Sequence, residues 1–382
     1  MPNNALVNTA VIQGVTPVPI GVECSIGEGL PSFDIIGIRH DHAVELAAIV
    51  RCAILASGYT WPQRAVTVSL APLDMPKRGS HLSLPIAVAV LAASGQIRLP
   101  KHTLFVGELG LDGLLIQDTR GIVAYARLAA DLRMNLVCPC FDALPSDYVG
   151  MARGITGLAC LRGDHVEPIH AIRPIPASAD DGISTESDDA TVFDMIYDDV
   201  IAGRGGLIVT PPELIRHIAP AVRAATLHHA PLTPRDALDC ACIASVAGEP
   251  DIGSLLGLQR PFRSPDPSIS LTGLLGGGMP VRPGEISLAN HGVLYLGDVG
   301  CWKPSTLKQL AAIKENGGIR IVRQDGAIEM PARFQMFGYI LPCPCGYSGH
   351  HERDCTCEAQ QFASWQRKID LLRPMFGTLA YL

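Results

Sequence analysis

Short apolar runs rich in β-branched residues alternate with stretches of helical periodicity along most of this 382-residue chain. Residues 206–209 (GLIV) and 293–296 (VLYL) are continuously apolar, as strands buried on both faces of a parallel sheet usually are. Helical stretches follow at 234–246 and 304–315. This alternation predicts an α/β fold with a parallel sheet, in which ligands usually bind at the carboxyl ends of the strands.

A change of composition divides the chain. Residues 174–190 (PIPASADDGISTESDDA) are small, acidic and structure-breaking, and they show no apolar period. We therefore predict a first domain at 1–173, a flexible acidic linker at 174–190 and a second domain at 191–382. Two domains also suit the length, because a chain of this size rarely forms a single core.

Composition and charge exclude several classes of protein. The formal net charge is −7, which argues against a protein that coats nucleic acid through bulk positive charge. No segment reaches the ~20 apolar residues of a membrane helix, and the N-terminus does not resemble a signal peptide. The sequence therefore predicts a cytoplasmic protein without a membrane partner. Most of its cysteines are expected to be free thiols in a reducing compartment. Six of them are predicted to be small core residues, namely Cys24, Cys52, Cys160, Cys240, Cys242 and Cys301.

Four further cysteines lie close together near the end of the chain. Cys343-Pro-Cys345 and Cys355-Thr-Cys357 form two C-x-C pairs that a short polar segment separates. Two pairs of thiolates suit a tetrahedral Zn²⁺ ion, and either histidine of the intervening YSGHHERD could replace one thiol. Free surface thiols and redox-labile disulfides are the alternatives. We favour a structural zinc.

Two long stretches resemble one family, the magnesium-chelatase-related AAA+ proteins of the YifB/ComM kind. The segments similar to its N-terminal domain are at 29–38 (GLPSFDIIGI), 50–97 and 106–113 (VGELGLDG). Those similar to its AAA+ core are at 260–278 (RPFRSPDPSISLTGLLGGG), 282–298 and 331–346. The resemblance implies a ribosomal-S5-domain-2-like (Lon-like) domain followed by a P-loop AAA+ α/β domain. It also implies that this second domain is truncated and lacks the family's C-terminal helical lid.

The resemblance places a nucleotide site after the strand at 206–209. The family's loop is Gly-Pro-Pro-Gly-x-Gly-Lys-Thr, and the matching residues here are Thr210-Pro211-Pro212-Glu213-Leu214-Ile215-Arg216-His217. A working loop needs glycines whose backbone N–H groups wrap the phosphates, a lysine for the β- and γ-phosphates, and a hydroxyl for Mg²⁺. All three glycines are absent, Arg216 keeps only a positive charge, and His217 cannot replace the hydroxyl. Without the family, the segment reads as a proline-containing turn that opens a helix.

Three other parts of the implied site differ from the family as well. The strand that should end in Asp-Glu ends in Gly297-Asp298, and an isolated Asp298 is more often a helix cap than a catalytic base. Leu341 stands where the family has its sensor asparagine, and its side chain cannot hydrogen-bond water. Arg373 is a weak counterpart of the arginine in the family's Leu-Leu-Asp-Arg segment. The loss of one electrostatic stabiliser typically lowers an enzyme's rate by a factor of about 10²–10³. Because several independent losses affect the same reaction here, we predict no catalytic residue.

The nucleotide-site residues that remain are therefore predicted to form a degenerate ATP site, namely Thr210, Pro211, Pro212, Arg216, His217 and Asp298. The resemblance implies a hydrolysis-deficient family member that acts as a partner or scaffold in DNA uptake or recombination. An AAA+ paralogue or further copies of this chain would be its partners. The alternative is an ATP-binding ATPase with a divergent site, as a subunit of a DNA branch-migration motor.

The sequence contains weaker indications of DNA contact and of peptidase activity. The run Gly276-Gly277-Gly278 predicts a hairpin or pore-loop insertion. DNA is a further candidate partner, because the stretch around the glycine run carries four basic residues, namely Arg260, Arg263, Arg282 and Lys303. The resemblance to Lon suggests a peptidase with a catalytic Ser-Lys pair, formed by Lys77 with Ser80 or Ser83. A connecting loop is the preferred interpretation, so a peptidase is rejected.

Overall fold

The fold is described from a computed structural model. It covers residues 3–77, 79–116, 119–140, 142–163, 167–176, 194, 196–323 and 326–382. Residues 177–190 of the predicted linker lie outside these ranges. Within them, no helix combines the length and the apolar character that crossing a membrane requires.

The first half of the chain forms a seven-stranded mixed sheet with helices packed on it. Its strands and those of a small neighbouring pair are β1 (Asn3–Gln13), β2 (Thr16–Gly27), β3 (Ser32–Ile36), β4 (Ala65–Ala71), β5 (Thr103–Phe105), β6 (Asn135–Pro139), β7 (Ala143–Leu144), β8 (Ala152–Ile155) and β9 (His170–Ala171). The helices are α1 (His40–Ala56), α2 (Ser83–Ala93), α3 (Ile122–Asp131) and α4 (Ser146–Val149). The sheet order is β3-β4-β2-β1-β5-β6-β8, and β7 pairs with β9. Every residue of α2 except Ala92 is buried, as its continuous apolar sequence predicts.

The second half forms a five-stranded sheet in which every pair is parallel. Its strands and those of two hairpins are β10 (Gly205–Val209), β11 (Phe262–Arg263), β12 (Gly276–Gly277), β13 (Arg282–Pro283), β14 (Val293–Asp298), β15 (Gly318–Arg323), β16 (Gly326–Pro331), β17 (Gln335–Ile340) and β18 (Gly377–Tyr381). The helices are α5 (Ile215–His228), α6 (Pro234–Ala247), α7 (Gly253–Leu256), α8 (Leu271–Leu275), α9 (Glu285–Leu288), α10 (Pro304–Asn316) and α11 (Ala359–Phe376). The sheet order is β11-β14-β17-β10-β18.

Helices cover both faces of this second sheet, which is why its strands are continuously apolar. One face packs against α5 through a cluster that includes Ile208, Val222 and Phe337. The other packs against α10 and α11 through a cluster that includes Leu310 and Ile369. The prediction of a mixed α/β protein with a parallel sheet is confirmed.

Several local predictions were wrong. The sequence predicts a helix over 213–226 that is interrupted near Pro220, but α5 runs without a break from Ile215 to His228 with Pro220 inside it. Cys52 and Cys301 are exposed rather than in the core, since each lies on the outward face of its element. The glycine run does form a hairpin, in which Gly276 pairs with Pro283.

The two halves share apolar packing. Helix α3 of the first half contacts α6 of the second, and one cluster joins Ala10, Val123 and Tyr125 to Ala241 and Val246. The side chains of Arg127 and Asp239 form an ion pair across the same contact. One buried cluster therefore contains residues from both sides of the predicted linker.

Candidate functional site

The carboxyl ends of three neighbouring strands bring the predicted nucleotide-site segments together. Strand β17 lies between β14 and β10, with Tyr339 opposite Asp298 and Ile340 opposite Val209. Because the strands are parallel, the segments that follow them meet at one edge of the sheet. Thr210 follows β10, Asp298 ends β14 and Leu341 follows β17. The cysteine pairs continue from the same end of β17.

Most backbone N–H groups of the turn after β10 are either absent or already bonded to carbonyls of the protein. Thr210 is buried, and its N–H donates to the carbonyl of Ile340 at 3.1 Å. Residues Pro212–Leu214 form a 3₁₀ turn, in which Leu214 N–H donates to Pro211 O at 3.3 Å and Ile215 N–H donates to Pro212 O. The two prolines have no N–H. Four of the five positions from 211 to 215 therefore have no N–H left to point at a phosphate.

The backbone conformation of this segment also differs from what wrapping a phosphate requires. No residue of 210–217, all of which the structure describes, has a positive φ. Leu214 has φ −91° and Ile215 has φ −54°, so the chain passes directly from the turn into α5. Anion-binding nests depend on successive N–H groups that converge on the ligand, and often on glycine at left-handed positions.

The remaining charged residues of the segment are engaged with other side chains. Arg216 is exposed at the start of α5, and its Nε donates to Nε2 of His217 at 2.9 Å. His217 is buried. Glu213 stands where the family has a glycine, and its carboxylate lies 3.6 Å from both His350 Nε2 and Arg353 Nη1. The sequence indicated His350 only as a possible zinc ligand and gave no role to Arg353, although both belong to the polar segment between the cysteine pairs.

Asp298 is a helix cap. Its Oδ1 accepts the N–H of Gly300 at 2.7 Å, at the start of the 3₁₀ turn Val299–Cys301. Its Oδ2 accepts from the Cys301 thiol at 3.5 Å. Both carboxylate oxygens therefore have partners inside the protein, as the cap interpretation predicted.

Helix α11 closes the edge of the sheet behind Leu341. The Trp365 indole N–H donates to Leu341 O at 2.7 Å, and the Gln366 amide donates to Pro342 O at 3.0 Å. Arg373, the weak candidate, is not brought to this edge. Its helix leads into β18, whose Gly377 pairs with Gly205 at the amino end of β10. Neither α11 nor β18 is predicted by the sequence patterns.

The four C-terminal cysteines converge on one point. The Cys343 sulfur lies 3.3 Å from that of Cys345 and 3.7 Å from that of Cys355, and the Cys345 and Cys355 sulfurs are 3.6 Å apart. The Cys357 thiol accepts the N–H of Cys345 at 3.3 Å, and all four sulfurs lie within 4.8 Å of one another. A tetrahedral Zn²⁺ with Zn–S bonds of about 2.3 Å holds its sulfurs roughly 3.8 Å apart, so the donor set fits this ion.

Backbone N–H groups polarise this cluster. Those of Tyr347 and Thr356 hold the pKa of the Cys345 thiol well below its ordinary value, which favours the thiolate that a metal requires. Ser348 N–H donates to the Cys343 sulfur at 3.3 Å. Burial raises the pKa of Cys357, so the four thiols are not equivalent before a cation is bound.

Two of the four basic residues near the glycine hairpin hold the protein together. The Arg263 guanidinium pairs with Glu285 at 2.7 Å and with Glu249 at 3.0 Å. Arg260 donates to the carbonyls of Ala230 and His291 at 2.9 and 2.7 Å. These guanidiniums therefore have internal partners, which weakens the case for them as DNA ligands.

The residues weighed for a Ser-Lys pair have other partners. Lys77 and Ser80 line a cavity of about 600 Å³ between the first half and the glycine hairpin. Ser83 is buried, and its hydroxyl donates to the Ser80 carbonyl at 2.7 Å. The Ser80 hydroxyl donates to Glu108, and the Lys77 ammonium donates to the carbonyls of Pro72 and Met75. Burial lowers the pKa of Lys77, but its bonds are to backbone oxygens.

The chain is similar to known proteins along almost its whole length. Residues 22–140 match the family model described as subunit ChlI of Mg-chelatase, and residues 218–376 match the model described as magnesium chelatase, subunit ChlI. YifB of Salmonella typhimurium is 35% identical over 374 residues, which cover 93% of this chain and 71% of YifB. YifB of Escherichia coli is 35% identical over 375 residues with the same coverage.

The competence protein ComM of Haemophilus influenzae is 29% identical over 365 residues, which cover 91% of this chain and 71% of ComM. Both family models match in the order that the two sheets follow along the chain. The chain therefore belongs to the magnesium-chelatase-related family that includes YifB and ComM.

Proposed function

We propose that this chain is an AAA+ family member that does not hydrolyse ATP and acts by binding other proteins. One observation carries the proposal: in the turn after β10, the N–H groups of Leu214 and Ile215 are bonded to the carbonyls of Pro211 and Pro212 and are not available to a phosphate. The carboxylate of Glu213 lies in the same turn and would repel a triphosphate. Asp298 is engaged in capping, which supports the same conclusion.

The proposed architecture has two domains of different origin. We assign 1–173 to a ribosomal-S5-domain-2-like (Lon-like) domain, 174–190 to an acidic linker, and 191–382 to a P-loop-type AAA+ domain. The two family-model matches and the separate sheets support this division. Cysteines kept as free thiols suit a cytoplasmic location.

The relatives support a proposal for the process and for the partners. A relative named as a competence protein supports a role in DNA uptake or recombination. The partner would be an active AAA+ paralogue or further copies of this chain, since proteins of this class assemble into rings. DNA contact remains part of the proposal through Arg282 and Lys303, which are both exposed.

We also propose that Cys343, Cys345, Cys355 and Cys357 hold one structural Zn²⁺ ion. The sulfur separations and the N–H groups that point at the thiols support it. Such an ion would stabilise the segment after β17 and supply no chemistry of its own.

Thermal unfolding and phosphate release test the loss of ATP chemistry. A ligand present at 100 times its dissociation constant adds about 2.7 kcal/mol to stability. We expect millimolar MgATP to leave the melting temperature unchanged. We also expect no phosphate release, either alone or with DNA, and no change of either result in Asp298→Asn. This control keeps a capping side chain and removes the charge.

The alternative function, an ATPase with a divergent site, predicts the opposite results. Steady phosphate release that disappears in Asp298→Asn would establish it and exclude the proposal. The binding role is tested by adding a full-length active family member and measuring both assembly and phosphate release. A mixed assembly in gel filtration, with an altered rate of ATP turnover by the active member, is the expected result.

A further inference from the structure

The segment that carries the cysteines, residues 343–357, lies on the turn after β10; we call it the cysteine loop. Gly346 adopts φ +87°, and a Cβ atom there would lie 2.8 Å from Cγ of Pro212. The loop backbone therefore packs directly on the proline ring, at a position where only glycine fits without displacement. The same proline belongs to the segment that replaces the family's phosphate loop.

The loop also presents the side chains of His350 and Arg353 to Glu213. Nδ1 of His350 accepts the N–H groups of Glu352 and Arg353 at 3.0 and 3.1 Å, so the proton of a neutral ring is on Nε2. That nitrogen faces the Glu213 carboxylate at 3.6 Å. Arg353 faces the other carboxylate oxygen at the same distance, while its guanidinium donates to the Tyr347 hydroxyl at 2.6 Å.

These ion pairs are too weak to hold the loop by themselves. The side chains of Glu213 and Arg353 are 43% and 60% exposed, and ion pairs between groups so accessible to water contribute little. The four sulfurs lie at the two ends of the segment that carries His350 and Arg353. A cation that joins these ends would fix the loop conformation and thereby hold both groups opposite Glu213.

We propose that the metal-bound cysteine loop is a clamp that closes the phosphate side of the degenerate site, with the Glu213 carboxylate as its internal anionic partner. The inference rests on the proposed loss of nucleotide binding and names what occupies the site instead. Metal occupancy, rather than nucleotide, then determines whether the turn at 211–215 is accessible. Loss of the metal would release the loop and expose this edge of the sheet.

Hydrogen exchange on the reduced full-length chain tests the clamp. Metal analysis should first find about one zinc per chain. Removal of zinc with a chelator should raise the exchange rate of the Leu214 and Ile215 amides at least tenfold, and added Zn²⁺ should restore it. The β1–β2 hairpin, residues 3–27, is the internal reference and should keep its protection.

Two variants separate the clamp from a general effect of metal removal. Glu213→Gln keeps the shape of the side chain but removes its charge, so it should raise exchange at 214 and 215 by less than chelation does, while the zinc content stays at one. Glu352→Gln is the matched control, because Glu352 is an exposed carboxylate of the same loop, and it should change neither value.

Three results would overturn the inference. The first is a folded, protected protein without zinc. The second is chelation that leaves exchange at 214 and 215 unchanged. The third is unchanged exchange at 214 and 215 in Glu213→Gln. This result decides against the clamp even if chelation unfolds the whole chain. None of them depends on ATP binding, so a failure here is distinguishable from a failure of the proposed function.

Discussion

His81 shows how surroundings set the chemistry of a single side chain. It lies in the 3₁₀ turn Ser80–Leu82, where its Nε2 is 3.0 Å from Ala10 O and 3.2 Å from the Tyr125 hydroxyl. Burial is the main cause that lowers the pKa of this histidine to about 4; the bond to Ala10 O opposes the shift, and the nearby His42 contributes to it. The ring is therefore neutral in the folded protein at pH 7.

This pKa predicts a loss of stability in acid. Below pH 6.5 the unfolded chain binds a proton at His81, whereas the folded chain does so only near pH 4. The free energy of unfolding should therefore fall as the pH falls from 6.5 to 4, by ~3 kcal/mol at most from this residue. His81→Gln should flatten that part of the pH profile in urea titrations.

An exposed histidine provides the comparison for this measurement. His170→Gln removes an imidazole that faces solvent, so its pH profile should follow that of the unmodified chain. An equally steep acid limb in His81→Gln would show that the effect arises elsewhere.

At the scale of single elements, α5 shows that burial can override a local helix breaker. Pro220 removes the N–H that would bond the carbonyl of Arg216, and its ring crowds that carbonyl. The helix nevertheless continues, because Ile218, Ala221 and Val222 on either side of the proline pack against the parallel sheet. The proline itself is exposed and contributes no core contact.

Pro220→Ala should therefore stabilise the protein. Restoring the helical hydrogen bond and the propensity of alanine is expected to raise the free energy of unfolding by about 1–2 kcal/mol, after allowance for the greater freedom of the unfolded chain. Pro234→Ala is the matched control. Pro234 is the first residue of α6, where a missing N–H has no cost, so that change should give no gain. Equal effects at both positions would contradict this explanation.

At the scale of the whole molecule, the contact between α3 and α6 joins the two halves. Ala241 is fully buried there, in the same cluster as Val123 and Tyr125. Because a shared core couples the parts that build it, we expect one calorimetric unfolding transition rather than one for each sheet.

Ala241→Leu tests this coupling. The larger side chain overfills a packed contact, at a cost of about 1–3 kcal/mol, and should lower the single transition as a unit. Arg235→Leu places the same side chain on the exposed face of α6 and should leave the transition nearly unchanged. Two transitions, only one of which moves, would mean that the halves unfold independently.

The sequence alone determined the class of the fold and the family. Continuous apolar runs such as GLIV and VLYL predict buried parallel strands, because only strands covered on both faces can be apolar throughout. The loss of glycines between Thr210 and His217 and the two C-x-C pairs are also local facts, readable without coordinates. Helix α11 and strand β18 escaped recognition, because much of that helix is exposed and carries a weak apolar pattern.

Only the tertiary structure decided which distant residues meet. Parallel pairing of β10, β14 and β17 places Glu213 beside His350 and Arg353, which are more than 130 positions away along the chain. It also leaves Arg373 at the opposite edge and engages Arg263 with two glutamates. Such contacts depend on strand order and register, and no local pattern encodes them, because a side chain's partners across a sheet are set by the path of the whole chain.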